Sequence, residues 1–326
     1  MMKKKCSILL VILAIYSLFI FSLNTVYAFE EKIYLGGMPA GFSLSTRGAK
    51  IVGLSDVITE KGLLSPAKEI GLKVGDTILE IDGVNINSAT DIENSLVDGM
   101  LKTLTIKRRG EVFDDTITPA KDLSGNYKLG IFVRDNVNGI GTITYIKGNR
   151  FASLGHPVLD DNSEIVEIIG GDLFNCNITD YIKGERGKPG ELRGIFVRKD
   201  VIGSIDKNTD CGVFGIYKST NRSELKSIET AKAVMGNATI FTTIDGDSAK
   251  EYSISIIKVD NDLEQKNFVI KINDERLLEC TGGIVQGMSG SPIVQNGKLV
   301  GAVTHVFMND PTRGFGVSIQ NMLNKH

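Results

Sequence analysis

Residues 281–305 read TGGIVQGMSGSPIVQNGKLVGAVTH, and the small residues GMSGSP at positions 287–292 interrupt two apolar stretches. Valine and isoleucine would make a better strand at these positions. The interruption is explained either by a plain turn or by a loop shaped around a nucleophilic serine. Glycines on both sides of Ser289 favour the loop, because glycine adopts backbone angles that other residues avoid. The backbone amides of Gly287 and Ser289 could then converge where an oxyanion develops.

A serine hydroxyl needs a base within hydrogen-bonding reach, and the base needs a third group that fixes its tautomer. The sequence contains three histidines. His156 lies in RFASLGHPVLDD, a connection after a strand, and loops on rigid β scaffolds often carry catalytic groups. His305 lies inside the apolar strand GAVTHVF, where packing is the commoner role, and the terminal His326 is expected to be frayed. We therefore predict that His156 is the base.

Residues 33–119 form a pattern of short strands and two helices. In SPAKEIGLKVGDTILEIDG, Ser65 can cap a helix that has Pro66 at its first position and ends at Gly71. A strand closed by an Asp-Gly turn follows, and then a second helix and a hairpin. This order resembles a PDZ domain, which binds an extended peptide at an open sheet edge.

The peptide-binding edge of this unit is predicted at Gly41, Phe42, Ser43 and Leu44. The preceding loop, from residue 36 to residue 42, is longer than the usual Gly-Leu-Gly-Phe form and contains a proline. This departure makes recognition of a free carboxylate uncertain but leaves strand addition available. The alternative is a packing module that binds nothing.

Residues 128–326 read as many short strands separated by glycine-rich turns, a pattern typical of an all-β sandwich or barrel. The fold class is therefore mainly β. Cys176, Cys211 and Cys280 form no CxxC spacing, which argues against a zinc site or a redox pair. A Cys176–Cys211 disulfide remains open, and three buried thiols are the expected state. The net charge of −2 gives no argument for nucleic acid as a partner.

The N-terminus differs from the rest of the chain. Three lysines precede an uncharged apolar run from Cys6 to Leu23, and a small residue, Ala28, follows shortly. Residues 1–28 are therefore predicted to be either a cleaved signal peptide or a single membrane anchor. In both cases the chain from Phe29 onward is expected outside the cytoplasm.

Taken together, these features resemble the stage IV sporulation protein B (SpoIVB-type) serine peptidases of endospore-forming bacteria. The resemblance runs in order along essentially all 326 residues. Its stretches are the N-terminal segment, the PDZ unit, SLGHPV, KGERGKPGELRG, residues 273–312 and GFGVSI. GMSGSP itself resembles the nucleophile loop of chymotrypsin-like peptidases. The resemblance implies a chymotrypsin-like double β-barrel at residues 128–326 behind the PDZ domain.

The resemblance also implies a catalytic triad of His156, Asp274 and Ser289, with Gly287 and Ser289 as the oxyanion hole. Asp274 lies in KINDERLLECTGG, shortly before the serine. Composition does not confirm Asp274, and three loop aspartates are rivals: Asp160, Asp161 and Asp310. Ser291 is the rival nucleophile. No cofactor and no metal are implied.

The implied role is signalling during sporulation. The protease would be exported from the forespore into the space between the two surrounding membranes. There it would cut a membrane-bound regulator of a processing protease, and also itself. A general quality-control protease of the cell envelope is one alternative. A catalytically inactive PDZ scaffold is another, and the intact Gly-x-Ser-Gly-x-Pro motif argues against it.

Overall fold

The computed structural model describes residues 31–161, 163–218, 225–260 and 262–326. They fall mainly in one compact unit, Ile33–His326, which is mainly β as predicted. The predicted signal or anchor, residues 1–28, lies outside the described residues. No helix within the described ranges is long and apolar enough to cross a membrane.

The strands, in chain order, are β1 Ile33–Leu35, β2 Pro39–Leu54, β3 Val57–Thr59, β4 Gly62–Leu64, β5 Thr77–Ile81, β6 Val84–Asn85, β7 Lys102–Arg108, β8 Glu111–Ile117, β9 Ala120–Lys121, β10 Tyr127–Lys128, β11 Ile131–Lys147, β12 Arg150–Ser153, β13 Ile168–Ile182, β14 Glu191–Thr209, β15 Gly212–Tyr217, β16 Gly236–Thr242, β17 Lys250–Val259, β18 Phe268–Ile272, β19 Pro292–Gln295, β20 Lys298–Phe307 and β21 Asp310–Ser318. The helices in the described ranges are α1 Pro66–Glu69, α2 Ala89–Ser95, α3 Glu275–Thr281 and α4 Ile319–Lys325.

The first barrel is a closed ring of six strands in the order β2, β11, β12, β15, β14 and β13. It closes because β2 pairs on both sides: Phe42 stands opposite Gly139 of β11 and opposite Leu173 of β13. Its interior is apolar, as the alternating pattern of its strands requires. The buried residues are Ala40, Phe42, Leu44, Ile143, Ile146, Phe151, Leu154, Leu173, Ile202, Ile205, Val213 and Tyr217.

A smaller unit is inserted between two strands of this barrel. β2 and β11 run antiparallel from Pro39 opposite Thr142 to Leu54 opposite Ile131, and beyond the barrel β2 pairs with β5. This unit has its own core, formed by Ala49, Ile51, Ala67, Leu72, Ile78, Ile81, Ile86, Ile92, Leu96, Leu104, Ile106, Ile117 and Leu129. The predicted PDZ boundary at residue 33 is therefore wrong, because residues 39–45 are a barrel strand.

The predicted peptide-binding edge at Gly41, Phe42, Ser43 and Leu44 is also wrong. This segment pairs with β11 on one side and with β13 on the other, so it offers no free backbone groups for strand addition. Phe42 is 3% exposed and Leu44 is 1% exposed. A side chain at Gly41 would place its Cβ 2.5 Å from the ring of Phe196.

The second barrel is continuous in sequence. β16, β17, β18, β21, β20 and β19 form a closed ring between residues 236 and 318. α3 lies between β18 and β19, immediately before the GMSGSP loop. The predicted pair of barrels is thus present in the strand pairing. The three described cysteines are free thiols, with Cys176 and Cys211 buried and Cys280 half-buried.

Candidate active site

The loop at residues 287–292 depends on its two glycines. Gly287 and Gly290 have φ angles of 96° and 94°, values that favour glycine. A Cβ on Gly290 would stand 2.1 Å from the carbonyl oxygen of Thr142. The backbone of the loop therefore lies directly against β11 of the first barrel, and this close approach requires glycine.

Two threonines of β11 hold the loop in place. The Thr142 amide donates to the Ser289 carbonyl at 2.9 Å, and the Thr142 hydroxyl donates to the Gly287 carbonyl at 2.9 Å. The Thr144 hydroxyl donates to the Gly290 carbonyl at 2.7 Å. Sequence reasoning missed both threonines, although their alternation in GTITYI placed two hydroxyls on one strand face. Both are at most 1% exposed, so their hydrogen bonds are sheltered from water.

The amides of Gly287 and Ser289 donate to no acceptor among the described residues, whereas the neighbouring amides are all used. Met288 donates to Val285, Gly290 donates to Val303, and Ser291 donates to Met288. The loop thus leaves unpaired the two donors that the predicted oxyanion hole requires.

The two serines of the loop have different surroundings. The Ser289 hydroxyl is half-buried and donates to the Thr304 carbonyl at 2.8 Å. The Ser291 hydroxyl is fully buried and donates to the Met288 carbonyl at 2.7 Å, which closes the turn. Only Ser289 therefore presents a hydroxyl that a substrate could reach.

His156 follows β12 through two residues with positive φ, Leu154 at 66° and Gly155 at 69°. A Cβ on Gly155 would stand 3.0 Å from the side chain of Thr304, so this turn packs against β20. The imidazole of His156 contacts that of His305, with ring centroids 4.6 Å apart and planes inclined by 38°. The fold thus brings His156 to the strand whose Thr304 carbonyl accepts the Ser289 hydroxyl.

The His156 ring is oriented by a backbone carbonyl. Its Nδ1 lies 2.8 Å from the Pro157 oxygen, a pure acceptor, so the hydrogen sits on Nδ1 and the Nε2 lone pair is free. Burial lowers the pKa of His156. Burial also lowers the pKa of His305 to about 4, with smaller contributions from His156 and Lys266. Both rings are therefore neutral at pH 7.

The carboxylate of Asp274 has its hydrogen-bond partners at the start of α3. It caps α3 by accepting the amides of Arg276 and Leu277, and it also accepts the amide of Ser253. It pairs with the Arg276 guanidinium at 2.9 Å. That hydrogen bond to Arg276 holds the pKa of the carboxyl below its usual value. Asp274 thus stabilises the start of α3, and in this structure it forms no hydrogen bond with the His156 ring.

The rival aspartates do not replace it. Asp161 pairs with Lys50 at 2.8 Å, Asp310 accepts from Thr312 and Arg313, and the Asp160 carboxylate accepts the Glu164 amide. No carboxylate in the described ranges forms a hydrogen bond or ion pair with the His156 ring. His326 is not frayed as expected, since its Nδ1 lies 3.2 Å from the Tyr145 hydroxyl.

An open sheet edge does exist, in the inserted unit. Residues 131–134 of β11 pair with β2 on one side, and no described strand pairs with their other side. A groove of about 560 Å³ runs beside this edge. It is lined by Ile92 of α2, by Leu96 directly after that helix, and by Phe132 of β11, which is 60% exposed. Gly130, with φ 78°, turns the chain into the edge. The sequence signal was KLGIFV, an apolar-glycine-apolar run before a strand.

Comparison with known proteins adds family membership. The profile of the SpoIVB peptidase S55 family matches residues 125–323, and a PDZ-domain profile matches residues 64–108. Among curated proteins, the putative zinc metalloprotease CPE1693 of Clostridium perfringens is 41% identical over 69 residues, 21% of each chain. The chloroplastic membrane metalloprotease ARASP of Arabidopsis thaliana is 30% identical over 134 residues, 38% of this chain and 29% of that protein. The chain thus spans less than a third of either relative.

Two solved structures are similar to parts of the chain. The PDZ domain of the SdrC-like protein of Listeria monocytogenes is 23% identical, with a TM-score of 0.23, over 28% of this chain and 93% of that one. The active form of the Rv3671c protease of M. tuberculosis is 14% identical, with a TM-score of 0.32, over 58% and 72%. The S55 profile covers more than half of the chain, which confirms the predicted resemblance. The chain belongs to the SpoIVB peptidase S55 family and contains a PDZ domain.

Proposed function

We propose that the protein is a serine endopeptidase in which Ser289 is the nucleophile and His156 is the base. The observation that carries this proposal is the pair of unpaired amides, Gly287 and Ser289, beside an accessible serine hydroxyl. As the Ser289 oxygen attacks the substrate carbonyl, Nε2 of His156 takes its proton and later passes it to the leaving amine. The two amides stabilise the oxyanion.

In the resting arrangement the Ser289 hydroxyl donates to the Thr304 carbonyl. Attack therefore requires the hydroxyl to turn from Thr304 toward His156. In this proposal the Pro157 carbonyl takes the part that a carboxylate plays in other triads, because it keeps the proton on Nδ1 and leaves Nε2 basic. A carbonyl stabilises the imidazolium less than a carboxylate does, since it carries no full charge.

The inserted PDZ unit is proposed to hold an extended peptide along residues 131–133. The exposed apolar side chain of Phe132 and the unpaired strand edge support strand addition at this groove. β11 then continues from the groove to Thr142 and Thr144, which hold the nucleophile loop. Recognition and chemistry thus share one strand.

Family membership supports a role in sporulation signalling. In this proposal the protein is exported into the forespore intermembrane space, where it cleaves a membrane-bound regulatory protein and itself. A general envelope protease would instead be expressed during growth. The timing of expression separates these two roles, and confinement to sporulation is the expected result.

Fluorophosphonate labelling of the full-length protein tests the catalytic assignment. Ser289→Ala should abolish labelling and lower proteolysis by about six orders of magnitude while the fold is retained. Ser291→Ala, two residues further along the chain, is the matched control. It should still be labelled, because the Ser291 hydroxyl only closes the turn. Loss of labelling in Ser291→Ala with retention in Ser289→Ala would overturn the assignment.

A further inference from the structure

Three segments pack together beside the Ser289 loop. The first is the chain just before the nucleophile, at residues 283–286. The second is β20, whose Thr304 carbonyl accepts the Ser289 hydroxyl. The third is β21, because a Cβ on Gly314 would stand 2.5 Å from the His305 carbonyl oxygen. The size of residue that fits here depends on what already fills this space.

Ile284 occupies the middle of these segments. Its side chain is 2% exposed, and its Cδ1 lies 2.7 Å from the position of a Cβ on Gly314. Its amide donates to the Pro311 carbonyl at 2.8 Å, which holds its backbone in place. Val285 and Val303 belong to the same buried cluster. A branched side chain thus fills the space between the three segments.

Backbone contacts close the surrounding walls. A Cβ on Gly283 would stand 2.0 Å from the Pro311 carbonyl oxygen, and a Cβ on Gly190 would stand 2.7 Å from the Val285 side chain. Contacts this short leave no space for a further side chain between the segments.

Residues 183–192 cover the same region from outside. Within this segment, Gly187 donates to Met308 at 2.7 Å and Leu192 donates to Gln286 at 2.8 Å. The space beside the nucleophile is therefore shallow, because it is filled from inside and covered from outside.

The walls also lack a buried charge. The buried charged residues in the described ranges are Asp76, Lys102 and Asp274. Asp76 and Lys102 belong to the inserted unit, and Asp274 is engaged by Arg276. A charged substrate side chain would therefore find no buried partner among the described residues here.

We propose that the substrate side chain before the scissile bond lies against these three segments, that the enzyme therefore cleaves after small residues, namely glycine, alanine or serine, and that Ile284 sets this limit. The proposal rests on the proposed function, because it takes Ser289 as the point of attack. Discrimination against one or two extra methylene groups in an apolar site is modest, whereas a bulky or charged residue meets a filled wall.

Peptidyl diphenyl phosphonates test the proposal without a known substrate. Each probe forms a bond between phosphorus and the Ser289 oxygen and releases phenol, and the probes differ only in the side chain next to phosphorus. Full-length protein would be treated with alanine, leucine, phenylalanine and arginine probes. The alanine probe should react at least about tenfold faster than each of the others. Equal or faster reaction of the phenylalanine or arginine probe would overturn the proposal.

Two variants of Ile284 assign the limit to this residue. Ile284→Ala should raise the rate of the leucine probe relative to the alanine probe by about tenfold. Ile284→Val, which removes one carbon and preserves the fold more safely, should shift the ratio in the same direction by less. Ile256→Ala removes the same atoms from the same core cluster on another strand, and it should leave the ratio unchanged.

The outcomes separate the two proposals. Absence of fluorophosphonate labelling at Ser289 would overturn the proposed function, and this inference with it. Normal labelling with a wrong side-chain preference, or with a ratio unaffected by either Ile284 variant, would overturn the inference alone.

Discussion

The two barrels are built from the chain in different ways. The second barrel is continuous from residue 236 to residue 318, and it carries Ser289 on a loop between its own elements. The first barrel is interrupted: residues 39–45 supply one strand, and the chain returns to the barrel only after the PDZ unit. His156 comes from this interrupted barrel. The proposed nucleophile thus depends on a continuous segment, whereas the proposed base lies in a barrel that needs a strand from the other side of an inserted domain.

This difference gives the PDZ unit a structural place in the catalytic domain. β2 and β11 connect it to the first barrel, and both are strands of that barrel. The loop after His156 also contacts its sheet, where Lys50 and Arg134 face Asp161. The inserted unit thus contacts the catalytic domain at β2, at β11 and at this loop.

The largest effect is expected for His156, the proposed catalytic base, which the interrupted barrel carries. His156→Ala should slow fluorophosphonate labelling by about 10² to 10⁴-fold, because proton transfer from Ser289 is lost. His305→Phe keeps an aromatic ring against His156 and should lower the rate far less. A fully active His156→Ala protein would refute the assignment of the base.

The pH profile of wild-type labelling sharpens the same point. Burial lowers the pKa of His156 below its ordinary 6.5, so the neutral base should persist to lower pH than in an exposed histidine. The labelling rate should therefore rise with pH below pH 6.5 and then level off. His305, with a pKa of about 4, is neutral across this range and causes no second rise of the labelling rate above pH 5. A rise of the labelling rate centred above pH 7 would contradict the buried environment of His156.

A pair of phenylalanines tests where the PDZ unit ends. Phe42→Ala should lower the free energy of unfolding by about 3 to 5 kcal/mol, because Phe42 lies inside the first barrel. Phe132→Ala should change it by less than about 0.5 kcal/mol, since that side chain is 60% exposed at the groove. Urea unfolding of both variants is the measurement. The reverse order would restore Gly41–Leu44 as the open edge.

Variants of Asp274 test whether this residue of the continuous barrel caps α3 or acts as a member of the catalytic triad. Asp274→Ala should cost about 1 kcal/mol of stability through loss of the cap, and Asp274→Asn should cost less, because asparagine also caps helices. The lowered pKa of Asp274 stabilises the fold above its unfolded pKa near 3.9, and this contribution is lost as pH falls through the folded pKa. Labelling should stay within a few-fold in both variants. A severe loss in a folded Asp274→Asn protein would return this residue to the triad.

The smallest effect is expected at the ion pair between Lys50 and Asp161. Because the Asp161 side chain is 73% exposed, Asp161→Asn should leave the urea midpoint and the labelling rate unchanged within error. Labelling at low and high salt is the measurement, since salt screens such a pair. A marked loss of labelling at low salt would show that this contact positions the loop after His156.

Local signals explain what could be predicted. Gly287 and Gly290 flank Ser289 within residues 287–292, and both have positive φ angles that favour glycine. The sequence itself therefore indicates an unusual loop. A local signal for Asp274 was present as well: KINDERLLECTGG reads as a capping aspartate followed by a helix that ends at Gly282, which has a φ of 73°. The resemblance instead led to the prediction of Asp274 as a triad member, and the helix cap was not predicted.

The sequence alone was enough for the mainly β class, for the family and for an unusual loop at GMSGSP, and it supplied the prediction of His156 as the base. Only the tertiary structure decided that residues 41–44 form an interior barrel strand and that residues 131–133 form the open edge. The physical reason is that a strand becomes an edge or an interior strand through its partners. The partners of Phe42 are Gly139 and Leu173, which lie far along the chain, beyond the inserted domain.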